Sequence, residues 1–275
     1  MFANPWVSAL SALFLWWFST GILLWRVRQA DNAGRDAHRW SVILGLPLLF
    51  AGALGFSHTL QDASVPGIYG ALLSALAIWA WIELAFLSGI ITGPNRVPCP
   101  PGLRLSERFL RATASILWHE CLLLGTLAVM ALQSAGAANQ FALWTFAVLF
   151  FARISAKLNL FFGVPYINTE FLPNPLAHLA SHFRHARMNA LFPVSVSVLT
   201  FATGCWMERA ISAADPGHAA GFWLLAALTA LATLEHWFMV LPLPDQKLWR
   251  WMMPAPAPSL ATPKPDLRKE QTHGL

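Results

Sequence analysis

Charge is scarce in this chain: Asp, Glu, Lys and Arg make up 11% of its 275 residues, against roughly 25% in an ordinary soluble domain. A composition of that kind belongs to proteins whose solvent is the bilayer. Cysteine is scarce as well. Cys99, Cys121 and Cys205 form no CxxC pair and fall at different depths of the topology below, so neither a disulfide nor a zinc site is indicated. A glycine-rich phosphate loop is absent, which removes the usual sign of a nucleotide-driven engine. So is an internal repeat of the kind many transporters carry. The formal net charge of +5 points to no nucleic acid, because excess Lys and Arg in such a chain serves mainly to orient it in a membrane.

What abounds is apolar sequence, 56% of the chain. Seven apolar segments run at roughly 6–25, 41–60, 66–92, 108–133, 140–162, 188–207 and 219–243, each about long enough for a helix to cross a hydrocarbon core. Apolar residues surround each axis almost completely, as helices facing both lipid and neighbours require. The fold class is therefore all-α, a polytopic membrane protein of about seven transmembrane helices. The first segment has no basic residue before it and no cleavage site after it, so it is expected to stay as an anchor. Of the 18 Lys and Arg, 17 fall on one side of this topology and only Arg209 on the other. The positive-inside rule then puts the N-terminus in the periplasm and the C-terminus in the cytoplasm. Residues 1–253 are expected to form a single helical bundle. The Pro- and Ala-rich stretch 254–275 is expected to be a disordered cytoplasmic tail.

Against this background a few ionisable groups stand out. "ILWHECLLLG" carries His119 and Glu120, and "ATLEHWFMVL" carries Glu235 and His236, the same pair reversed. Glu83 and Arg153 lie in two further segments. At 1.5 Å of rise per residue, all six sit roughly 11–17 Å from the predicted cytoplasmic ends, in one layer. A lone charge there costs about 2.5–3.5 kcal/mol on insertion scales, so these groups must face each other, a cavity or a ligand. Three readings fit the layer. It is a structural network built on Arg153; or a metal site of facing carboxylates and imidazoles, though without the Glu-x-x-His spacing of di-iron bundles; or a tetrapyrrole or quinone site with a histidine as axial ligand or hydrogen-bond donor. Trp16, Trp17, Trp79, Trp81, Trp118 and Trp237 lie deep in their segments, where they pack against lipid or line a flat-ligand pocket.

The loop after the fifth segment reads "NTEFLPNPLAHLASHFRHARMN". His178, His182 and His185 share one face if the loop is helical, as metal ligands would. With Asn174 as cap and Pro175 in the first turn, the same stretch reads as a basic helix on the bilayer surface. Glu170, upstream, is placed to reach over the cytoplasmic mouth of the bundle.

"RISAKLNLFFGVPYINTEFLP", "SHFRHARMNALFPVSVS", "LEHWFMVLPLPDQKLWRW" and the "WHE" at Trp118–Glu120 resemble the PuhE family, photosynthetic complex assembly protein 2, most clearly over segments four to seven. The resemblance implies a place in the bacterial inner membrane, cytoplasmic or intracytoplasmic, of anoxygenic phototrophs. It also implies partners among reaction-centre or light-harvesting subunits and bacteriochlorophyll-pathway proteins. It carries no catalytic residues. Two readings follow. One is an assembly factor holding bacteriochlorophyll or a precursor through Glu83, His119, Glu120, Arg153, Glu235 and His236. The other is an enzyme of bacteriochlorophyll metabolism using iron or another metal, with candidate ligands His119, Glu120, Glu170, His178, His182, Glu235 and His236.

Overall fold

Three helix starts are written as a polar residue beside a proline. Asn4 accepts from the N–H groups of Trp6 (3.0 Å) and Val7 (3.4 Å) and opens α1, Pro5–Ala33. Ser64 accepts from Gly67 N–H at 3.3 Å and opens α4, Val65–Leu87. Asp215 accepts from His218 N–H at 2.9 Å and opens α8, Pro216–Phe238. Each side-chain oxygen satisfies an N–H that the first helical turn leaves free, while the proline gives up none. The computed structural model describes residues 2–242. The other helices are α2, Arg35–Leu44; α3, Leu46–Thr59; α5, Leu105–Gln133; α6, Phe141–Phe162; and α7, Leu191–Ser212. No strand occurs among the described residues.

Seven helical stretches are long and apolar enough to cross a membrane, α2 and α3 counting as one, Arg35–Thr59. The expected seven-span architecture is the observed one, with shifted ends. The second span breaks at Gly45, where Pro47 in the first turn of α3 cannot donate to the turn before it. Trp81 holds this break, its indole N–H donating to Val42 O at 3.1 Å. The third span stops at Leu87, five residues short of expectation, because Ser88 and Gly89 (φ +71°) turn the chain. The predicted tail, 254–275, and the basic residues from Lys247 onward lie outside the described residues.

α4 and α8 form the centre. α4 packs on α3, α6, α8 and α1, and α8 packs on α7, α1, α4 and α6. The core between them is apolar, built around the fully buried Ile68, Leu72, Phe146, Leu224 and Leu225. α5 lies outside, against α6 and α4. At one end of the bundle Asn139, between α5 and α6, is tied to the α3–α4 connection and the start of α4, donating to Asp62 O (2.8 Å) and Gly67 O (3.3 Å) while its N–H donates to Leu60 O (2.9 Å). At the other end, where the arginines gather, residues 163–183 fold over the helix ends. This segment is no surface helix. Asn174–His182 is a 3-10 helix whose Leu176 and Leu179 are buried against Val27, Phe86 and Leu87. Pro173, with no side-chain cap bond, precedes the helix, so Asn174 is its first residue and not its cap. Its N–H donates instead to Asp31 Oδ1 at 3.1 Å.

Candidate functional site

The helices do not close on one another everywhere. Between α1, α4, α6 and α8 lies a cavity of about 690 Å³, within the roughly 300–1,000 Å³ of small-molecule and cofactor sites. Residues 166–183 cover its arginine-rich end. Its walls are largely apolar, and three of the deep tryptophans, Trp16, Trp17 and Trp79, stand in them. Trp118 and Trp237 instead lie on the outer surface, 55% and 39% exposed.

The charged groups of the cavity are Glu83 on α4, Arg153 and Lys157 on α6, and Glu235 on α8, with His182 at the covered end. Arg153 Nη2 donates to Glu83 Oε2 at 2.7 Å. Lys157, one turn further along α6, donates to Glu120 on α5 and places its ammonium 5.3 Å from the Phe86 ring centroid. Two carboxylates and two cations thus pair inside the bundle, which offsets most of the cost of taking each from water. Glu235 is left over. It makes no hydrogen bond or ion pair among the described residues, and Arg153 is its electrostatic neighbour. Arg153 Nε also has no hydrogen-bond partner among the described residues. The cavity therefore presents one unpaired carboxyl group beside flat aromatic walls.

The two histidines of the layer serve other ends. His236 is buried, with Nδ1 donating to Ala232 O at 2.8 Å and Nε2 accepting from Ser155 Oγ at 2.9 Å. Both nitrogens are in use, and the residue ties α8 to α6 outside the cavity wall. His119 is fully buried. Its ring stacks on Phe86, centroids 4.1 Å apart, with Nε2 3.7 Å from Glu83 Oε1. Neither ring nitrogen has a hydrogen-bond partner among the described residues. The His119 N–H donates to Thr92 O at 3.1 Å, where the 88–104 loop presses on α5. Neither histidine lines the cavity, and Glu120 reaches it only through Lys157.

The candidate metal ligands are scattered. Among the described residues no three His, Cys, Asp or Glu side chains come together as a metal site needs. Glu170 is exposed; its carbonyl, not its carboxylate, accepts from Arg28. His185 is exposed and sits in an isolated parallel bridge with Val164, because the chain leaves the 3-10 helix at Phe183 and cannot keep the α-helical face the spacing assumed. His182 turns inward, Nε2 3.4 Å from Ser115 Oγ, while Arg108 Nη2 donates to its carbonyl at 3.2 Å. Burial pulls the His178 and His182 imidazoles below their ordinary value. Arg96 adds to the effect at His178, and Arg108 and Arg111 add to it at His182. Both therefore favour the neutral form.

The sequence set Glu83 and Arg153 at one depth, and the two do meet; Lys157, which pairs with Glu120, was not among the candidates. A signal existed: Lys157 follows Arg153 by four residues inside an apolar segment, which sets both on one face.

The chain belongs to the family described as "Protein of unknown function (DUF3623)", which it matches over residues 2–259. It is similar to a protein of Rhodobacter capsulatus named "Uncharacterized 30.4 kDa protein in puhA 5'region", with 61% identity over 265 residues, covering 95% of this chain and 97% of that one. No solved structure matches.

Proposed function

We propose that this member of the family is an integral factor for assembly of the bacterial photosynthetic apparatus. In this reading it holds bacteriochlorophyll or a precursor in the cavity between α1, α4, α6 and α8 on the way to reaction-centre or light-harvesting subunits. The observation that carries the reading is the cavity itself: about 690 Å³, walled by Trp16, Trp17 and Trp79, with Arg153, Lys157, Glu83 and Glu235 on one side of it. The place of the reading in photosynthesis is supported by the relative named for the puhA 5' region and by the likeness to PuhE sequences. The described residues act as one bundle in the inner membrane, N-terminal end periplasmic, and partners dock within the bilayer or at the cytoplasmic face.

A tetrapyrrole supplies a flat apolar ring bearing polar substituents, and the residues present fit such a group. The tryptophans offer faces for the ring. The Arg153 guanidinium, 38% exposed and in the cavity wall, offers donors to a carbonyl or carboxylate substituent, and the Glu235 carboxyl offers the complementary contact. Glu83 holds Arg153 in place by the 2.7 Å ion pair. His119 and His236 leave the list of candidate ring ligands, since neither faces the cavity; His182 is the imidazole that does.

The test is the absorption spectrum and extracted pigment of protein purified in mild detergent from its own membrane. A chlorin should co-purify and fall about tenfold in a Trp16→Ala/Trp17→Ala variant, the loss expected when a central aromatic anchor is removed. A pigment-free protein, in a strain whose photosynthetic complexes are unchanged by deletion of the gene, would overturn the reading.

A further inference from the structure

A second cavity, of about 610 Å³, lies at the arginine-rich end, between the α1–α2 turn, the end of α4 with the loop that follows, and the start of the 3-10 helix. It is separate from the tryptophan-walled cavity and differs in chemistry. Arg35, Arg39 and Arg96 line it. Excess arginine at this end is expected of any oriented membrane protein, so the guanidinium groups alone decide nothing. The groups behind them do. Ser88, Thr92 and His38 also line the cavity and are 96%, 98% and 95% buried. Ser88 Oγ, Thr92 Oγ1 and His38 Nδ1 have no hydrogen-bond partner among the described residues. Three unmatched polar groups in one wall cost about 1–3 kcal/mol each unless something completes them.

The backbone points the same way. α2 begins at this cavity after Gly34 (φ +96°), which provides no side-chain cap, so the first-turn N–H groups lack a side-chain acceptor. A helix start with free N–H groups attracts anions, phosphate above all. The one carboxylate in the wall is Asp31: its Oδ1 takes His38 Nε2 at 3.2 Å and Asn174 N–H at 3.1 Å, while its Oδ2, with no hydrogen-bond partner among the described residues, lies 4.0 Å from Arg28 Nη1. Asp36, the other acid nearby, lies 3.6 Å from Arg39 on the surface. Positive charge exceeds negative at the opening.

We propose that this cavity binds a phosphate oxyanion. Arginine forks approach from α2 and the 88–104 loop, and the Ser88 and Thr92 hydroxyls and the first-turn N–H groups of α2 wait behind them. Donors arriving from several directions suit a tetrahedral group with three or four acceptor oxygens. The depth at which basic pockets between helices meet the membrane surface makes an anionic phospholipid headgroup one source. A water-soluble phosphate is the other.

The experiment is native mass spectrometry of the full chain released from phosphatidylcholine nanodiscs doped with phosphatidylglycerol, with and without inorganic phosphate. Wild-type protein should keep phosphatidylglycerol in preference to phosphatidylcholine. Arg35→Ala/Arg96→Ala and Ser88→Ala/Thr92→Val should each weaken retention about tenfold or more, the range for lost hydrogen bonds to a charged group. Arg184→Ala/Arg187→Ala, outside the cavity, should change nothing. If inorganic phosphate binds without lipid preference and the same two double variants abolish it, the site stands and its source is soluble. If neither probe binds, or both double variants behave as the Arg184/Arg187 control does, the proposal is wrong and the arginines only orient the chain.

Discussion

Replacing Glu83 by Gln keeps the shape of the side chain and removes one charge from the ion-paired layer. Arg153 would then stand in the cavity wall without its 2.7 Å partner, with Lys157 as a like charge on the same helix face. Removing one member of a buried pair costs about 3–5 kcal/mol, because the other is left uncompensated. Glu83 is 7% exposed, but Arg153 keeps 38% of its side-chain surface open, so solvent reduces the cost below that range, to about 2–3 kcal/mol. For a chain of this length that is a fall of roughly 4–12 °C in Tm, readable from the fluorescence of 14 tryptophans during a melt in mild detergent. Arg153→Gln alone should cost a similar amount by stranding Glu83, whose other neighbour, His119 Nε2, is 3.7 Å away. The double variant leaves no charge stranded and should recover much of the loss, giving a coupling of about 2 kcal/mol. Effects that simply add, within about 0.5 kcal/mol, would show that the two groups do not depend on each other and refute the paired layer.

His236→Ala should cost about 2–4 kcal/mol through the cavity it opens and the bond it takes from Ser155, yet leave co-purifying pigment unchanged; pigment loss at normal stability would return His236 to the binding site. Acid should loosen the segment over the arginine-rich end. The folded-state value of His182 lies below the unfolded 6.5, so its contribution is present above that value and lost as pH falls below it. Hydrogen exchange across 174–187, corrected for intrinsic rates, should therefore rise from about pH 7.5 to about pH 5.5, and less so in His182→Gln. A rise of equal size in that variant would clear His182. Gly93→Ala should be severe, because a Cβ there meets the Ala114 carbonyl and the Ser115 backbone, and poor detergent-solubilised yield or a Tm lower by several degrees would report it. Gly125→Ala, with nothing within 4 Å of the added carbon, should be neutral or stabilise by up to about 1 kcal/mol; equal melting of the two variants would contradict the close approach of the 88–104 loop to α5.

How far the site could be read from the sequence varies residue by residue. Glu83 and Arg153 were legible, because each is the only charge in the middle of its apolar segment and such charges seek partners. Lys157 was hidden by its nearness to the loop, although α6 runs on to Phe162 and carries it inside. His236 and His119 looked alike in sequence and differ in the fold. They lie on different helices: α8 brings His236 to Ser155, and α5 brings His119 onto Phe86. The three loop histidines misled because spacing assumes an α-helix, and burial of Leu176 and Leu179 drew the segment into a 3-10 turn over the bundle.

The number of spans, the caps that start α1, α4 and α8, and the presence of charge at one depth were determined by the sequence alone. Hydropathy, chain rise and capping are local properties that need only neighbouring residues. Which side chains face a common cavity was decided by tertiary structure. Helices apolar on every side have no face that sequence can assign to the interior. Their rotation, the gap between α1 and α6, and the meeting of Arg35 and Arg96 with Ser88 and Thr92 come only from packing between residues far apart in the chain.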